Sequence, residues 1–271
     1  MTVSAIQPSA VDEAAPSLVT RARALLTSEW TKFWSVRSTY WTLLVMVVTP
    51  IAIGDFVSFT LDKAGRGNAP PLDPLLPGVL SLEYAVLAVC VLGVLQFSAE
   101  YSTGLIRTTF TAVPHRRAVL AAKAIITGIV AFTAGEVVAF SLFFLDQAVL
   151  NSNHHGVSWS HPGVPGKVVA SGTLLFVCAM IALGLGAILR HTAGGIAATI
   201  AVIVLPSILA VLPEPWGPRI SRFTLVSAGE QVSLLHPSTH LFSPAWSLVV
   251  LFAWPAIALI IAAVLIKRPA T

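Results

Sequence analysis

Charged side chains are scarce in this sequence, and their scarcity excludes an ordinary soluble domain. Asp, Glu, Lys and Arg make up 10% of the 271 residues, whereas hydrophobic residues make up 56% and the mean hydropathy is +0.84. Soluble domains carry about 25% charged residues. The composition therefore predicts an all-α polytopic membrane protein.

Cysteine and the common catalytic motifs are also scarce. Both cysteines, Cys90 and Cys178, fall within apolar runs, so they predict neither a disulfide framework nor a metal site. The sequence contains no GxxxxGK[ST] loop, no HExxH and no GxSxG, and the segment GVPGK at 163–167 is too short for a phosphate loop. We therefore expect no catalytic residue, metal or cofactor, and we expect that the chain is not itself an enzyme.

Histidines occur between the apolar runs, where we interpret them as incidental loop residues. His154, His155 and His161 share one stretch that is rich in proline and glycine. His236 and His240 are four residues apart, but Pro237 weakens a helical pairing of their side chains.

Six long apolar runs dominate the rest of the chain. A helix of about 20 apolar residues crosses the hydrocarbon core of a bilayer. The runs predict one membrane domain over residues 18–271 with six spans at about 40–59, 79–97, 118–145, 168–189, 193–212 and 245–266. Residues 1–17 are small and polar and have no basic segment followed by an apolar run. We expect a disordered cytoplasmic tail there and no cleavable signal peptide.

Residues 18–38 predict a helix that lies in the membrane interface. Apolar and aromatic residues gather on one side of this helix, and Arg21, Arg23 and Lys32 lie mostly elsewhere. Glu29 breaks the pattern because it projects near the apolar side. The alternative is a basic linker without fixed structure. The residues predicted to lie at the membrane interface are Trp30, Lys32, Trp34, Arg37, Arg116 and Arg117.

The distribution of lysine and arginine predicts the orientation of the chain. Six spans place both termini on one side of the membrane, and eleven of the basic residues fall on that side against five on the other. Because cytoplasmic loops carry the excess of basic residues, both termini are expected in the cytoplasm. The basic residues adjoin the spans, so we expect the lipid bilayer and not nucleic acid as their partner.

The stretch from Glu100 to Lys123 is too polar to lie in lipid, although it joins two spans. Apolar residues at 105, 106, 110 and 113 recur at roughly helical spacing, which predicts a short amphipathic helix over 104–113 that ends at Pro114. Such a helix is either a plain cytoplasmic loop or a lever through which a partner moves both spans.

Glu136 is an ionisable residue inside the third predicted span. A charge within a span is expensive and is usually functional. We therefore predict an intramembrane polar site at Glu136, with hydration near the interface as the alternative.

Several blocks, in this order along the chain, resemble one known family. They are LLTSEWTKFWSVRSTYWTLL at 25–44, EYSTGLIRTTFTAVPHRRAVLAAKAI at 100–125, ALGLGAILRHTAGGIA at 182–197, SAGEQ at 227–231 and LFSPAWSLVVLFAW at 241–254. The chain is similar to the permease subunit of type-2 ABC exporters of the actinobacterial type. The loops around residues 154–161 and 234–240 match nothing diagnostic in that family.

The resemblance implies a fold, partners and a mechanism. The first block would be an elbow helix on the inner surface of a bacterial plasma membrane, and the stretch before the sixth span would form short re-entrant helices. Two copies of a separate ABC ATPase and a second permease copy, identical or closely related, would complete the transporter. The residues expected to couple the chain to the ATPase are Glu100, Tyr101, Gly104, Arg107 and Phe110.

The resemblance also implies export of a small molecule or lipid-like cargo. Two other classes stay open. One is a secondary transporter, which should show paired intramembrane charges and broken spans at matching positions in two halves. The other is a membrane enzyme or a non-transporting accessory protein.

Overall fold

The computed structural model describes residues 17–65, 73–112, 115–151, 156–237 and 241–266, with the side chains at 62–65, 107 and 112 excepted. Within these ranges every regular element is a helix. The helices are α1 Leu18–Ser35, α2 Arg37–Gly65, α3 Leu76–Ser102, α4 Leu105–Ala112, α5 Arg116–Asn151, α6 Val164–Leu189, α7 Thr192–Leu209, α8 Trp216–Ser221, α9 Leu225–Ser233 and α10 Pro244–Leu265. The tail at 1–16, His154, His155 and His240 lie outside the described residues.

Six of these helices are long and apolar enough to cross a membrane, which confirms the predicted number of spans. They are α2, α3, α5, α6, α7 and α10. Their exposed surface is rich in large apolar side chains, such as Phe56 on α2, Ile208 on α7 and Ile260 on α10. The chain is therefore a multi-pass membrane protein with lipid-facing helices around its core.

Most spans are longer than the hydropathy pattern predicted, and α5 shows the physical reason. It continues past the predicted end at residue 145 to Asn151 because its polar residues have partners inside the bundle. The Ser58 hydroxyl donates to Asp146 at 2.5 Å. Gln147 donates to the carbonyl of Pro74 at 3.0 Å and accepts from the amide of Val157 at 2.6 Å. Polar residues that looked like a loop thus belong to the helix.

The fifth span is shorter than predicted. It ends at Leu209, not 212, three residues after Pro206. The mixed polar stretch that follows contains two short helices, α8 and α9. α9 begins at a Thr224 cap, whose hydroxyl accepts from the amide of Ser227 at 3.1 Å, and it packs against α6 and α10.

α6 lies at the centre of the bundle and packs against α3, α5 and α10. It is apolar on all sides, as expected for a helix without a solvent face. Glycines allow the close approach: a Cβ at Gly93 would lie 2.5 Å from the carbonyl oxygen of Ala179, and one at Gly186 would lie 2.8 Å from that of Val94. Small residues at such crossings let helix backbones pack tightly in lipid.

The helices present two distinct ends. At one end, called the α1 end, lie α1, α4, the start of α5 and the junction of α6 with α7. At the opposite end, the Asp73 carboxylate accepts from the amides of Leu75 at 2.9 Å and His236 at 2.6 Å. The described residues of the stretch from Glu100 to Lys123 therefore lie at the same end as α1.

Candidate functional site

α1 is anchored to the bundle through residues on one face. It begins at a Ser17 cap, whose hydroxyl accepts from the amide of Thr20, and it ends at Ser35 because Val36 is extended. The predicted helix over 18–38 is therefore correct at its start and three residues too long at its end. Glu29 and Phe33 are its buried residues, and Phe33 packs with Leu92 of α3 and Ile126 of α5.

Two glutamates and two lysines form ion pairs between α1 and the ends of α3 and α5. Lys123 of α5 lies 2.6 Å from Glu29 and 2.7 Å from Glu100 at the end of α3. Lys32 lies 2.7 Å from Glu29 and 3.3 Å from Glu100. We call these four residues the charge cluster. Each carboxylate contacts both ammonium groups, so the formal charges of the cluster cancel.

The short helix α4 joins the charge cluster through one hydroxyl. Lys32 donates to Thr109 at 3.2 Å, and the Thr109 hydroxyl donates to Glu100 at 3.5 Å. Ile106 of the same helix is buried in the main core. The cluster therefore connects α1, α3, α4 and α5 at one point.

Because this cluster is buried, each of its charges costs free energy unless an opposite charge lies beside it. The side chains of Glu29 and Lys123 are 2% and 4% exposed, so neither charge can be solvated by water. Removal of one partner from a buried ion pair leaves an uncompensated charge and is strongly destabilising. Burial alone would lower the pKa of Lys32, but its hydrogen bond to Glu29 and the nearby charge of Glu100 outweigh burial and raise that pKa.

The turn between α3 and α4 opens a groove on the other side of α4. Gly104 forms the turn with φ +74°, a left-handed conformation that favours glycine. The Arg190 guanidinium stacks 5.4 Å from the Tyr101 ring, and that of Arg116 stacks 4.8 Å from the Phe110 ring. We call the surface formed by these residues and the exposed hydroxyls of α4 the α4 groove.

The predicted coupling residues do not form one surface. Tyr101, Gly104 and Phe110 line the α4 groove together. Glu100 instead points into the protein, is 8% exposed and binds Lys32 and Lys123. Arg107 lies in α4, and its side chain is outside the described part of the chain. Any effect of Glu100 on a partner would therefore pass through the position of α4.

The tryptophans of α1 form an aromatic group where the helix meets α2. Trp30 is 45% exposed and packs edge-on against the half-buried Trp34, with ring centroids 5.6 Å apart. The Tyr40 ring packs at a tilt against Trp34, with ring centroids 5.4 Å apart, and its hydroxyl donates to the Trp34 carbonyl at 3.0 Å. Arg37 is exposed at the start of α2. This arrangement is typical of a helix at a membrane interface.

Three of the residues predicted to lie at the membrane interface have partners within the protein. Lys32 belongs to the charge cluster. Arg116 donates to the carbonyl of Ile266 at 3.3 Å, and Arg117 donates to that of Ala263 at 3.1 Å. These carbonyls lie at the end of α10, where a helix leaves acceptors without intrahelical donors and favours cations. The two arginines thus cap the last span.

Glu136 lies on α5 beside α6, far from the charge cluster. Both of its carboxylate oxygens are buried, and neither has a hydrogen-bond partner among the described residues. A Cβ at Gly172 would lie 2.7 Å from the Glu136 carboxyl carbon, so the carboxyl group rests on the bare backbone of α6. The structure therefore places an unpaired carboxyl group within a span.

Glu29 and Lys123 of the charge cluster were not predicted as site residues, and neither was Thr109, which joins the cluster to α4. The position of Glu29 on the apolar side of α1 was the available signal, because a charge there needs an internal partner. Thr109 had no comparable signal. Among the described residues, no group of three His, Cys, Asp or Glu side chains is placed to hold a metal ion.

Comparison with models of known protein families gives no match for this chain. Comparison with curated proteins gives no match either.

Proposed function

We propose that this chain is the permease subunit of an ATP-driven transporter with a type-2 ABC exporter architecture. In this proposal, α4 receives the movement of a separate ATPase at the cytoplasmic side. Two chains and two ATPases form the transporter, which exports a small molecule or lipid-like cargo across the plasma membrane.

The charge cluster is the observation that carries this proposal. A plain connecting loop has no need of buried charges, whereas a lever must be fixed rigidly to the helices that it moves. Thr109 and Ile106 fix α4 to the bundle, and Lys123 fixes the end of α3 to α5. A push on α4 would therefore reach two spans and α1 together.

The α4 groove provides a surface for the partner. Leu105 is 56% exposed at the start of α4, next to Tyr101 and Phe110. Aromatic residues and arginine are enriched where protein interfaces derive most of their binding energy. The tyrosine and the two arginines of the groove, Tyr101, Arg116 and Arg190, therefore support docking of a protein there.

Co-purification tests this proposal directly. The tagged chain and the ATPase encoded next to it should be isolated in mild detergent, and the mass should be that of a four-subunit complex. Leu105→Ser should weaken ATPase binding by about tenfold, because it removes an apolar side chain that docking would bury. Val211→Ser is the matched control, because Val211 is 83% exposed and belongs to the stretch after α7.

Two results would contradict the proposal. Equal ATPase binding by the parent and both variants would exclude the α4 groove as the docking surface. Transport by the lone chain in proteoliposomes without ATP would exclude an ATP-driven permease. The second result would favour a secondary transporter, for which the unpaired Glu136 carboxyl group is the supporting observation.

A further inference from the structure

An apolar groove runs along the lipid-facing side of the bundle between α5 and α6. α5 lines it from Ala124 to Phe132, and α6 contributes Phe176 and Met180. Gly128 gives the groove its depth, because a Cβ there would lie 3.0 Å from the edge of the Phe176 ring. Ile129 is 54% exposed beside it, so the groove opens outward toward the lipid.

Glu136 lies one helical turn beyond Phe132, next to the residues that line this groove. Side chains on a helix lean toward its N-terminus, and residues four apart have Cβ atoms about 5–6 Å from each other. Glu136 and Phe132 are therefore neighbours on one face of α5, as Gly172 and Phe176 are on α6. Its carboxyl group rests on Gly172 of α6, where it accepts no hydrogen bond from the described residues. The nearby Thr173 hydroxyl is engaged, since it donates to the carbonyl of Val169 at 2.8 Å.

The carboxyl group and the groove have complementary chemistry. A carboxylate in a span requires a cation, because an uncompensated charge in hydrocarbon is costly. The groove offers an apolar surface one helical turn from this carboxyl group. From Ala124 to Glu136 the distance along α5 is about 18 Å at the helical rise. A ligand that suits both parts has a long apolar body and one cationic end.

We propose that this groove and Glu136 form a binding site for membrane-dissolved amphiphiles that carry a protonated amine. The apolar chain lies along α5 between Phe176 and Met180. The ammonium group meets the Glu136 carboxylate, which turns away from Gly172 about its side-chain torsions. The amine then supplies the hydrogen bonds that the carboxylate otherwise lacks.

Photolabelling of the full chain tests this site. The chain is placed in nanodiscs of zwitterionic phosphatidylcholine, which do not concentrate a cation by surface charge. The probes are dodecylamine with a diazirine in its chain and the matching dodecanol. Mass spectrometry then measures labelling of the peptides that contain residues 124–132 and 176–180. The amine should label these peptides about tenfold more than the alcohol, the factor expected for a charge-assisted hydrogen bond.

Variants separate the carboxylate from the groove. Glu136→Gln should reduce amine labelling to the level of the alcohol, whereas Glu83→Gln, which changes an exposed carboxyl group on α3, should leave it unchanged. Gly128→Leu should reduce labelling by both probes, because its side chain fills the groove. Each variant is first checked by its melting temperature and by gel filtration.

Two outcomes would overturn the proposal. One is equal labelling of the parent chain by amine and alcohol, which would indicate a general lipid contact. The other is a folded Glu136→Gln variant that is labelled like the parent. If that variant does not fold, two measurements on the parent chain still test the site. They are the ratio of amine labelling to alcohol labelling and the competition of unlabelled dodecylamine with the amine probe.

This site goes beyond the proposed function and is tested without the ATPase. Loss of amine selectivity would leave the co-purification result unaffected. Failure to bind an ATPase would leave the labelling result unaffected.

Discussion

The ammonium nitrogen of Lys123 lies 2.7 Å from Oε1 of Glu100, and both residues are less than a tenth exposed. Lys123 belongs to the first turns of α5, and Glu100 belongs to the last turn of α3. The pair therefore fastens the two ends of the polar stretch between these spans. α4 lies in the segment that the pair encloses, and cannot shift freely on its own.

Replacement of Lys123 tests the energetic weight of the charge cluster. Lys123→Met removes the ammonium group that contacts both glutamates and leaves two carboxylates with Lys32 alone. We expect a loss of about 3–5 kcal/mol in the free energy of unfolding, as for other broken buried ion pairs. The melting temperature of the purified chain in detergent, followed by tryptophan fluorescence, measures the loss.

Arg23→Met is the control for this experiment, because Arg23 is exposed on α1. It should melt like the parent. The double variant Glu100→Gln with Lys123→Met should lose less than the two single variants added together, because the residues interact. Equal melting of the Lys123 variant and the parent would contradict a stabilising cluster.

Substitution of a glycine at the contact between α3 and α6 tests how closely these helices pack. Gly93→Ala should destabilise the chain by about 1–3 kcal/mol, because its Cβ would lie 2.5 Å from the Ala179 carbonyl oxygen and 2.6 Å from the Ala182 Cβ. Gly166→Ala is the matched change, since a Cβ at Gly166 meets nothing within 4 Å. It should stabilise α6 by up to about 1 kcal/mol. The two melting temperatures should therefore move in opposite directions, and equal shifts would exclude the close contact at Gly93.

Because the pKa of Glu230 on α9 is raised, we expect the free energy of unfolding to depend on pH. Burial raises the pKa of Glu230, and the negative charge of Glu83 adds to the shift. The folded chain therefore keeps this carboxyl group protonated at higher pH than the unfolded chain, where the pKa is about 4.3. Glu230 contributes its stability below that value, and the contribution is lost as the pH rises through the raised pKa.

Glu230→Gln should remove this loss. Relative to the parent, the variant should become more stable as the pH rises from about 4 toward 8, a range that begins near the ordinary glutamate pKa. Melting temperatures across this range measure the difference between the two profiles. Glu214→Gln, at an exposed carboxyl group, serves as the control. Parallel profiles for Glu230→Gln and the parent would exclude the effect.

Cysteine labelling tests the orientation of the chain. Cys90 and Cys178 are both buried, so the parent should react little with an impermeant thiol reagent. Thr108→Cys on the exposed side of α4 should react only after permeabilisation of the cells, and Ser160→Cys at the opposite end should react in intact cells. Labelling of the Thr108 variant from outside would reverse the orientation predicted from the basic residues.

The number of spans and the short helix α4 could be predicted from the sequence because both depend on local patterns. Hydropathy over about 20 residues identifies a span, and the apolar spacing at Ile106 and Phe110 identifies an amphipathic helix. Both patterns are contained within one segment of the chain. The predicted ends of the helices were less accurate, because buried polar residues such as Asp146 extend a helix beyond its apolar part.

The partners of the charged residues could not be predicted, because they depend on contacts between segments far apart in the sequence. Lys123 looked like a residue at the start of a span, and only the packing of α1 on α5 brings it to Glu29. Arg117 was predicted to lie at the membrane interface, and only the position of α10 gives it the carbonyl of Ala263. The pattern of one segment contains no information about such partners.

The enclosure of α6 affects which parts of this chain can vary in sequence. α2 and α10 each have a lipid-facing side, where one apolar residue can replace another without disturbing a neighbour. Apart from Phe176 and Met180, which line the apolar groove, α6 has no such side between Leu175 and Ala187, where Leu185 is the one other residue that is partly exposed. A change of side-chain volume there requires a matching change in α3, α5 or α10. Substitutions in α6 should therefore arise in pairs, and this helix should diverge more slowly than the helices around it.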